Sequence, residues 1–229
     1  MKLSLSVTDL ATYLARQVSN FFPDQEVIGR DYRPFVDAAL ERVEHCFAEI
    51  KNKYFPERCE TYFNHRHTDQ YAMFLYLVSN TIYRRGGDLA LAEKAYALNK
   101  ALHALDVFYE VELPAVFFFQ HPVGTVLGRG RYSDFFVVYQ RCTVGGNDGI
   151  YPVLGEGVVM YGGSSIIGDC PVGSNVWLAA GTVVIGESIP NDSVVFGQSP
   201  NLTIKPTRRN AVERFFKPAR GKHGDAHSG

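Results

Sequence analysis

Cysteine is scarce: the 229 residues contain four, Cys46, Cys59, Cys142 and Cys170, and no Cys-x-x-Cys pair. That spacing excludes a disulfide framework and a cysteine-rich zinc site, and reads as reduced, buried thiols. No apolar run is long enough to cross a bilayer. Met1-Lys2-Leu3-Ser4-Leu5-Ser6 lacks the apolar core of a secretory leader, so a cytoplasmic protein is expected. Charge of one sign is also lacking. A net charge of −1 gives no bulk electrostatic case for nucleic acid or a membrane surface as partner. Histidine is nearly absent from residues 120–206, where His121 stands alone, so a histidine-built metal centre fails there on ligand count.

What is present is a six-residue beat. Leu154, Met160, Ile166, Val172, Leu178, Val184, Pro190, Phe196 and Leu202 stand six apart, with Gly155, Ile167, Gly173, Ala179, Ile185 and Gly197 following six of them. A helix needs apolar residues three and four apart, and a half-buried strand every second one. A beat of six is the mark of a hexapeptide parallel β-helix, whose aliphatic residues point into a triangular coil. Val126, Tyr132, Val138 and Val144 keep the same beat earlier. The jump from Val144 to Leu154 leaves about four extra residues in Asn147-Asp148-Gly149-Ile150-Tyr151-Pro152, which must bulge outward as a loop. An antiparallel sheet with glycine turns is the ordinary alternative.

The first hundred residues read as helices. Ser6-Val7-Thr8-Asp9 caps one that ends near Phe22-Pro23. Pro34 opens a second, closed by Pro56. A third follows Thr68-Asp69 and stops at Arg84-Arg85-Gly86-Gly87, and a fourth runs from Asp88 to about Leu105 with Leu91, Ala95, Leu98 and Leu102 on one side. The expected organisation is a helical domain over 1–105, a left-handed β-helix over 106–206, and a basic, mobile tail over 207–229.

The segment His121-Pro122-Val123-Gly124-Thr125-Val126-Leu127-Gly128 resembles the His-Ala-Thr-Gly-Ile-Val-Val-Gly segment of serine acetyltransferases, in which that histidine is the catalytic base. Gln140-Arg141-Cys142-Thr143-Val144-Gly145-Gly146 resembles the family's Gln-Ser-Val-Thr-Leu-Gly-Gly, and Gly197-Gln198-Ser199-Pro200 its closing turn. The resemblance covers about Asp106 to Pro206. It implies an acetyl-CoA-dependent O-acetyltransferase without a metal. His121 would be its base, Asp106 the residue orienting that base (with Glu110 or Glu112 as substitutes), and the Gly146 N–H, beside Gly145, the oxyanion donor. The chemistry agrees: acetyl transfer to a hydroxyl needs a base near neutrality, a carboxylate to fix its tautomer and an N–H for the developing charge. Coenzyme A would lie along Gly145, Gly162, Gly163, Ala179 and Ala180, with its phosphates near Lys205, Arg208 and Arg209. Cys142 as an acyl carrier is disfavoured, since no adjacent base activates it.

Departures concern the acceptor. The family's Arg-His pair in the inserted loop falls on Ile150 and Tyr151, and its aspartate before the base falls on Gln120. Gln120 and Tyr151 would then contact an acceptor less charged than serine, with His67 and Asp69 supplying substitutes from the helical half. Serine, a saccharide or nucleotide sugar, and a non-catalytic scaffold all stay open as readings. His65, His67 and Asp69 fit no standard metal spacing, and an N-cap at Thr68 or Asp69 is expected instead. The resemblance implies a homotrimer or a dimer of trimers. A cysteine-synthase complex is not expected, because the family's tail ends in isoleucine and this chain ends Ala226-His227-Ser228-Gly229.

Overall fold

The computed structural model describes residues 1–24, 31–55 and 60–217. A short pair, β1 (Lys2–Leu3) with β2 (Tyr62–Phe63), ties the start of the chain to the entry of the third helix. The Ser6 hydroxyl accepts from the Asp9 N–H at 3.1 Å and opens α1 (Val7–Phe21), which buries Leu10, Leu14 and Val18. In α2 (Arg33–Glu49), Pro34 occupies the first turn, where its missing N–H leaves no bond unmade. That helix ends before Ile50 rather than running to Pro56, which lies outside the described residues together with Cys59. Residue 67, not Thr68 or Asp69, caps α3 (Thr68–Arg84), and no side chain makes the cap bond. Asp69 spends its carboxylate elsewhere. Asp88 caps α4 (Leu89–His103), which stops where Ala104 turns left-handed at φ 50°. Leu102, expected on the apolar side of α4, is exposed.

From β3 (Asp106–Val107) onward the chain is a parallel β-solenoid with three faces. One face stacks β3, β5 (Val126–Leu127), β8 (Thr143–Gly145), β11 (Ser165–Ile167) and β14 (Val183–Ile185). A second stacks β4 (Phe117–Phe119), β7 (Phe136–Val138), β10 (Val159–Met160), β13 (Trp177–Leu178) and β15 (Ser193–Gln198). The third holds β6 (Arg131–Tyr132), β9 (Val153–Leu154) and β12 (Pro171–Val172). The beat from Leu154 to Val184 points inward as expected, all six residues being buried.

The beat slips at both ends. Leu127, not Val126, pairs with Val144 and is buried, while Val126 faces out beside Asp106. After Gly186 the connection is one residue shorter, so Ile189 and Val195 fill the core and Pro190 and Phe196 are exposed. Leu202 belongs to β16 (Asn201–Pro206), an antiparallel partner of β15 outside the coil. Ser199-Pro200 forms the turn into it, with Gly197 and Gln198 paired in β15. The inserted loop is a two-residue hairpin: Asn147 and Ile150 exchange hydrogen bonds of 2.9 Å around Asp148 and Gly149, both at positive φ.

The tail corrects the expectation of mobility as far as Lys217. The helix α5 (Ala211–Phe215) buries Phe215, and the next residue, Phe216, is buried against Phe135 and bridges to Ile50 at the end of α2. Residues 218–229, including the chain's Ala226-His227-Ser228-Gly229 end, lie outside the described residues.

Candidate active site

His121 stands at a corner of the first coil. Phe119 pairs with Val138, the Gln120 N–H donates to the Val138 carbonyl at 2.9 Å, and the next residue turns at φ 51°. A non-glycine residue with positive φ is held there by its surroundings. Here the holder is Asp69: the His121 backbone N–H donates to Asp69 Oδ2 at 3.1 Å. The imidazole itself points out, 73% exposed, with Nδ1 3.6 Å from the same oxygen. Asp69 is buried in the first turn of α3, where the helix dipole favours a carboxylate.

Behind Asp69 lies His103, whose Nδ1 is 2.8 Å from Asn99 Oδ1. Burial pushes its pKa down to about 4, against a smaller opposing pull from Asp69. A cavity of about 230 Å³ opens here, bounded by Asp69, His103, Pro122 and Val123. The folded chain therefore refuses a proton that the unfolded chain accepts from pH 6.5 downward. Stability should be undiminished by this group above that pH and fall as pH drops toward about 4. His103→Gln should flatten the slope, and melting temperatures of both chains across this range check it.

The carboxylate beside His121 is not the one expected. Asp106 bonds Lys100 Nζ at 2.5 Å and the Tyr96 hydroxyl at 2.7 Å. Glu110 pairs with Arg129, and Glu112 lies near Asn80 and Arg84. Within one chain none of the three meets His121, because the outward face of β3 directs Asp106 toward α4. Asp69, expected at the acceptor, lies beside His121 instead. His67 packs its ring against Tyr54 at 5.1 Å, and its buried Nδ1 has no partner among the described residues.

Below His121 the same corner repeats down the coil. Gln140 and Arg141 come next, then Gly162 and Gly163, then Ala180 and Gly181, each level linked by backbone hydrogen bonds of 2.9–3.1 Å. Gly163 and Gly181 turn at φ 75° and 74°, and nothing lies within 4 Å of where a Gly181 Cβ would stand. A Cβ on Gly162 would come within 2.8 Å of the Gln140 amide. This bare edge continues into a groove of about 370 Å³ lined by Ala179, Ala180, Tyr161 and Trp177, with Arg209 over the Trp177 ring at 5.9 Å. Arg209, rather than Lys205 on the outer strand, lines that groove. Tyr161 and Trp177 were not singled out in the sequence, although Trp177 is the only tryptophan and precedes an inward position.

Gly145 and Gly146 sit on a different edge, one face away. At roughly 3.3 Å per residue, the five residues from Arg141 to Gly146 put up to about 16 Å between the two corners. So the expected oxyanion donor and base are not brought together within one chain. Tyr151 covers Gly146 so closely that a Cβ there would approach the ring to 2.6 Å, which accounts for the glycine. Ile150 beside it is half exposed. Cys142 Sγ faces the coil interior, 3.3 Å from the Tyr161 carbonyl, where no acyl group could be carried.

A helical segment leads into a three-faced parallel solenoid of six-residue repeats, with a histidine at the head of a small-residue edge. The chain is similar to serine acetyltransferases in sequence and shares their fold. It is 30% identical over 105 residues to serine acetyltransferase of Synechococcus elongatus, covering 44% of this chain and 43% of that one. It is 24% identical over 144 residues to the Staphylococcus xylosus enzyme, covering 61% and 66%. The matches thus span less than two thirds of those relatives' lengths. Among solved structures, serine acetyltransferase from Vibrio cholerae superposes with a TM-score of 0.68 at 19% identity, covering 89% of this chain and 83% of that one. The Neisseria gonorrhoeae serine acetyltransferase in complex with serine gives 0.64 at 23% identity, over 86% and 83%. A serine acetyltransferase in complex with CoA gives 0.62 at 17% identity, over the same shares. No family model matches the chain.

Proposed function

We propose that this protein is an acetyl-CoA-dependent O-acetyltransferase acting on the hydroxyl of serine or a serine-like small molecule. The observation that carries the reading is His121, with the Asp69 carboxylate 3.6 Å from Nδ1, at the head of the edge bearing Gly162 and Ala180. Nδ1 toward Asp69 leaves Nε2 to take the proton of the acceptor hydroxyl as its oxygen attacks the acetyl carbonyl carbon. The same proton then returns to the departing thiolate, so the imidazole ends as it began. Asp69 holds the tautomer and stabilises the imidazolium between those events. Acetyl-CoA supplies the activated acetyl thioester. The bare edge at Gly162, Gly163, Ala179 and Ala180 fits a slender arm, and the Trp177–Arg209 groove fits a flat, phosphate-bearing end.

The proposed assembly is a homotrimer or a dimer of trimers. Its support is the separation of the two edges: Gly146 could serve only the His121 of a neighbouring chain. The mostly exposed imidazole leaves room for that neighbour.

A saccharide acceptor is the second reading, favoured by Ile150 and Tyr151. Serine carries two charges that an apolar pocket cannot compensate, whereas an aromatic ring suits a sugar face. The test is thiol release from acetyl-CoA across amino acids, amino sugars and nucleotide sugars, compared by kcat/KM. Serine should be acetylated with a high KM, and a sugar should compete well. Efficient use of serine with every sugar inert would overturn the second reading. No thiol release with any acceptor would overturn the enzyme.

A further inference from the structure

A charged cavity of about 580 Å³ lies in the helical half, away from His121. From Asp69 to Thr81 runs a stretch of α3 of about 18 Å, at 1.5 Å per residue. The cavity lies where neighbouring turns of α2 and α3 face each other, Ala38, Glu41, Arg42 and His45 opposite Leu77, Thr81, Arg84 and Arg85, and Leu113 closes it. Arg42 Nη1 donates to the Thr81 hydroxyl at 2.8 Å and to the Leu77 carbonyl at 3.4 Å. No carboxylate among the described residues is within ion-pair distance of that guanidinium. Burial above all, joined by the charge of Arg84, lowers its pKa from the ordinary value, with Tyr76 and Glu112 pulling the other way.

The two carboxylates nearby do not balance the site. Glu112 is 3.9 Å from Arg84, both side chains more than half exposed, a geometry that binds weakly. Glu41 lines the cavity from the exposed side of α2. Three guanidinium groups and an imidazole thus line one concavity with a single acid, Glu41, over an apolar floor of Leu77 and Leu113, and Glu112 lies beside Arg84 outside the lining. Like charges held this close weaken a fold unless something of opposite sign offsets them. Guanidinium forks match phosphate and carboxylate oxygens in pairs.

We infer that this cavity binds a small, multiply charged organic anion, with its phosphate or carboxylate groups on Arg42, Arg84 and Arg85 and its body against Leu77 and Leu113. The volume falls in the ordinary range of small-molecule sites. The inference is independent of the proposed acetyl transfer, since none of these residues belongs to that site.

The test uses the full chain and two probes, inorganic pyrophosphate and citrate, each read by calorimetric titration and by melting temperature against sodium chloride of equal ionic strength. At least one probe should bind and raise the melting temperature beyond the salt control. Which one does so distinguishes a phosphate from a carboxylate ligand. Arg84→Gln with Arg85→Gln, both at exposed positions, should weaken binding by roughly tenfold or more, as losing charge-assisted bonds does. Arg42→Lys keeps the charge but loses the fork, and should weaken it as well. Equal stabilisation by sodium chloride, binding of neither probe, or unchanged affinity in both variants would overturn the inference. So would variants that alter the size of the assembly while binding the anion normally, because the face would then be a contact between copies.

Discussion

Turnover of the His121→Ala chain should fall by about two to four orders of magnitude, the usual effect of losing a general base. Folding and coenzyme binding should survive, because the imidazole projects from the corner and only the backbone N–H is tied down. Asp69→Asn should cost less than losing the histidine, since an amide still accepts the His121 N–H but no longer stabilises an imidazolium. Asp106→Asn should cost less again, because its carboxylate is engaged by Lys100 and Tyr96. Steady-state thiol release by the three variants ranks them. Near-normal turnover without His121 would remove it from the mechanism. A ranking with Asp106 above Asp69 would return the orienting role to Asp106, supplied across a contact between chains.

The Ile166→Asp chain should lose most of its stability. Ile166 is fully buried and pairs in register with Val144 above and Val184 below. A carboxylate there finds no partner, which costs several kcal/mol or forces it to stay protonated (about 3–5 kcal/mol for an uncompensated buried charge). Each coil packs on the levels above and below it, so damage at one level spreads to the next. Thermal unfolding and sedimentation measure it. A soluble variant of unchanged melting temperature would mean that the position does not face the core.

The middle of the coil was legible because six-residue spacing admits one inward register, and Leu154 to Val184 keep it. Its ends were not. Nothing in composition distinguishes Val126 from Leu127 as the inward residue, since both are aliphatic, and strand pairing with Val144 decides. At the other end the shortened connection after Gly186 moves the register by one, and Pro190 and Phe196 only look like members of the series. His121 was singled out by its local segment. The approach of Asp69 to it was not legible, because Asp69 is 52 residues distant, and only the packing of α3 against the first coil brings the two together. Asp106 was placed by the family resemblance, which does not say which way a strand residue points. Tyr161, Trp177 and the approach of Arg209 required the stacking of coils and the return of the tail.

That return changes how the solenoid can come apart. A stack whose levels touch only their neighbours behaves as a line, free to fray from its last level inward. Here Phe215 lies 5.8 Å from Trp177 in a late coil, while Phe216 lies 5.1 Å from Phe135 in an early one. The Lys51 N–H donates to the Phe215 carbonyl at 2.8 Å and the Lys217 N–H to the Glu49 carbonyl at 2.7 Å, so the strap ends on α2. A late rung cannot peel away without also unbuckling an early rung and the helical half. The line is closed into a hoop, and hydrogen exchange in the last coils should report the same opening free energy as exchange in α2, not the graded protection of a fraying end.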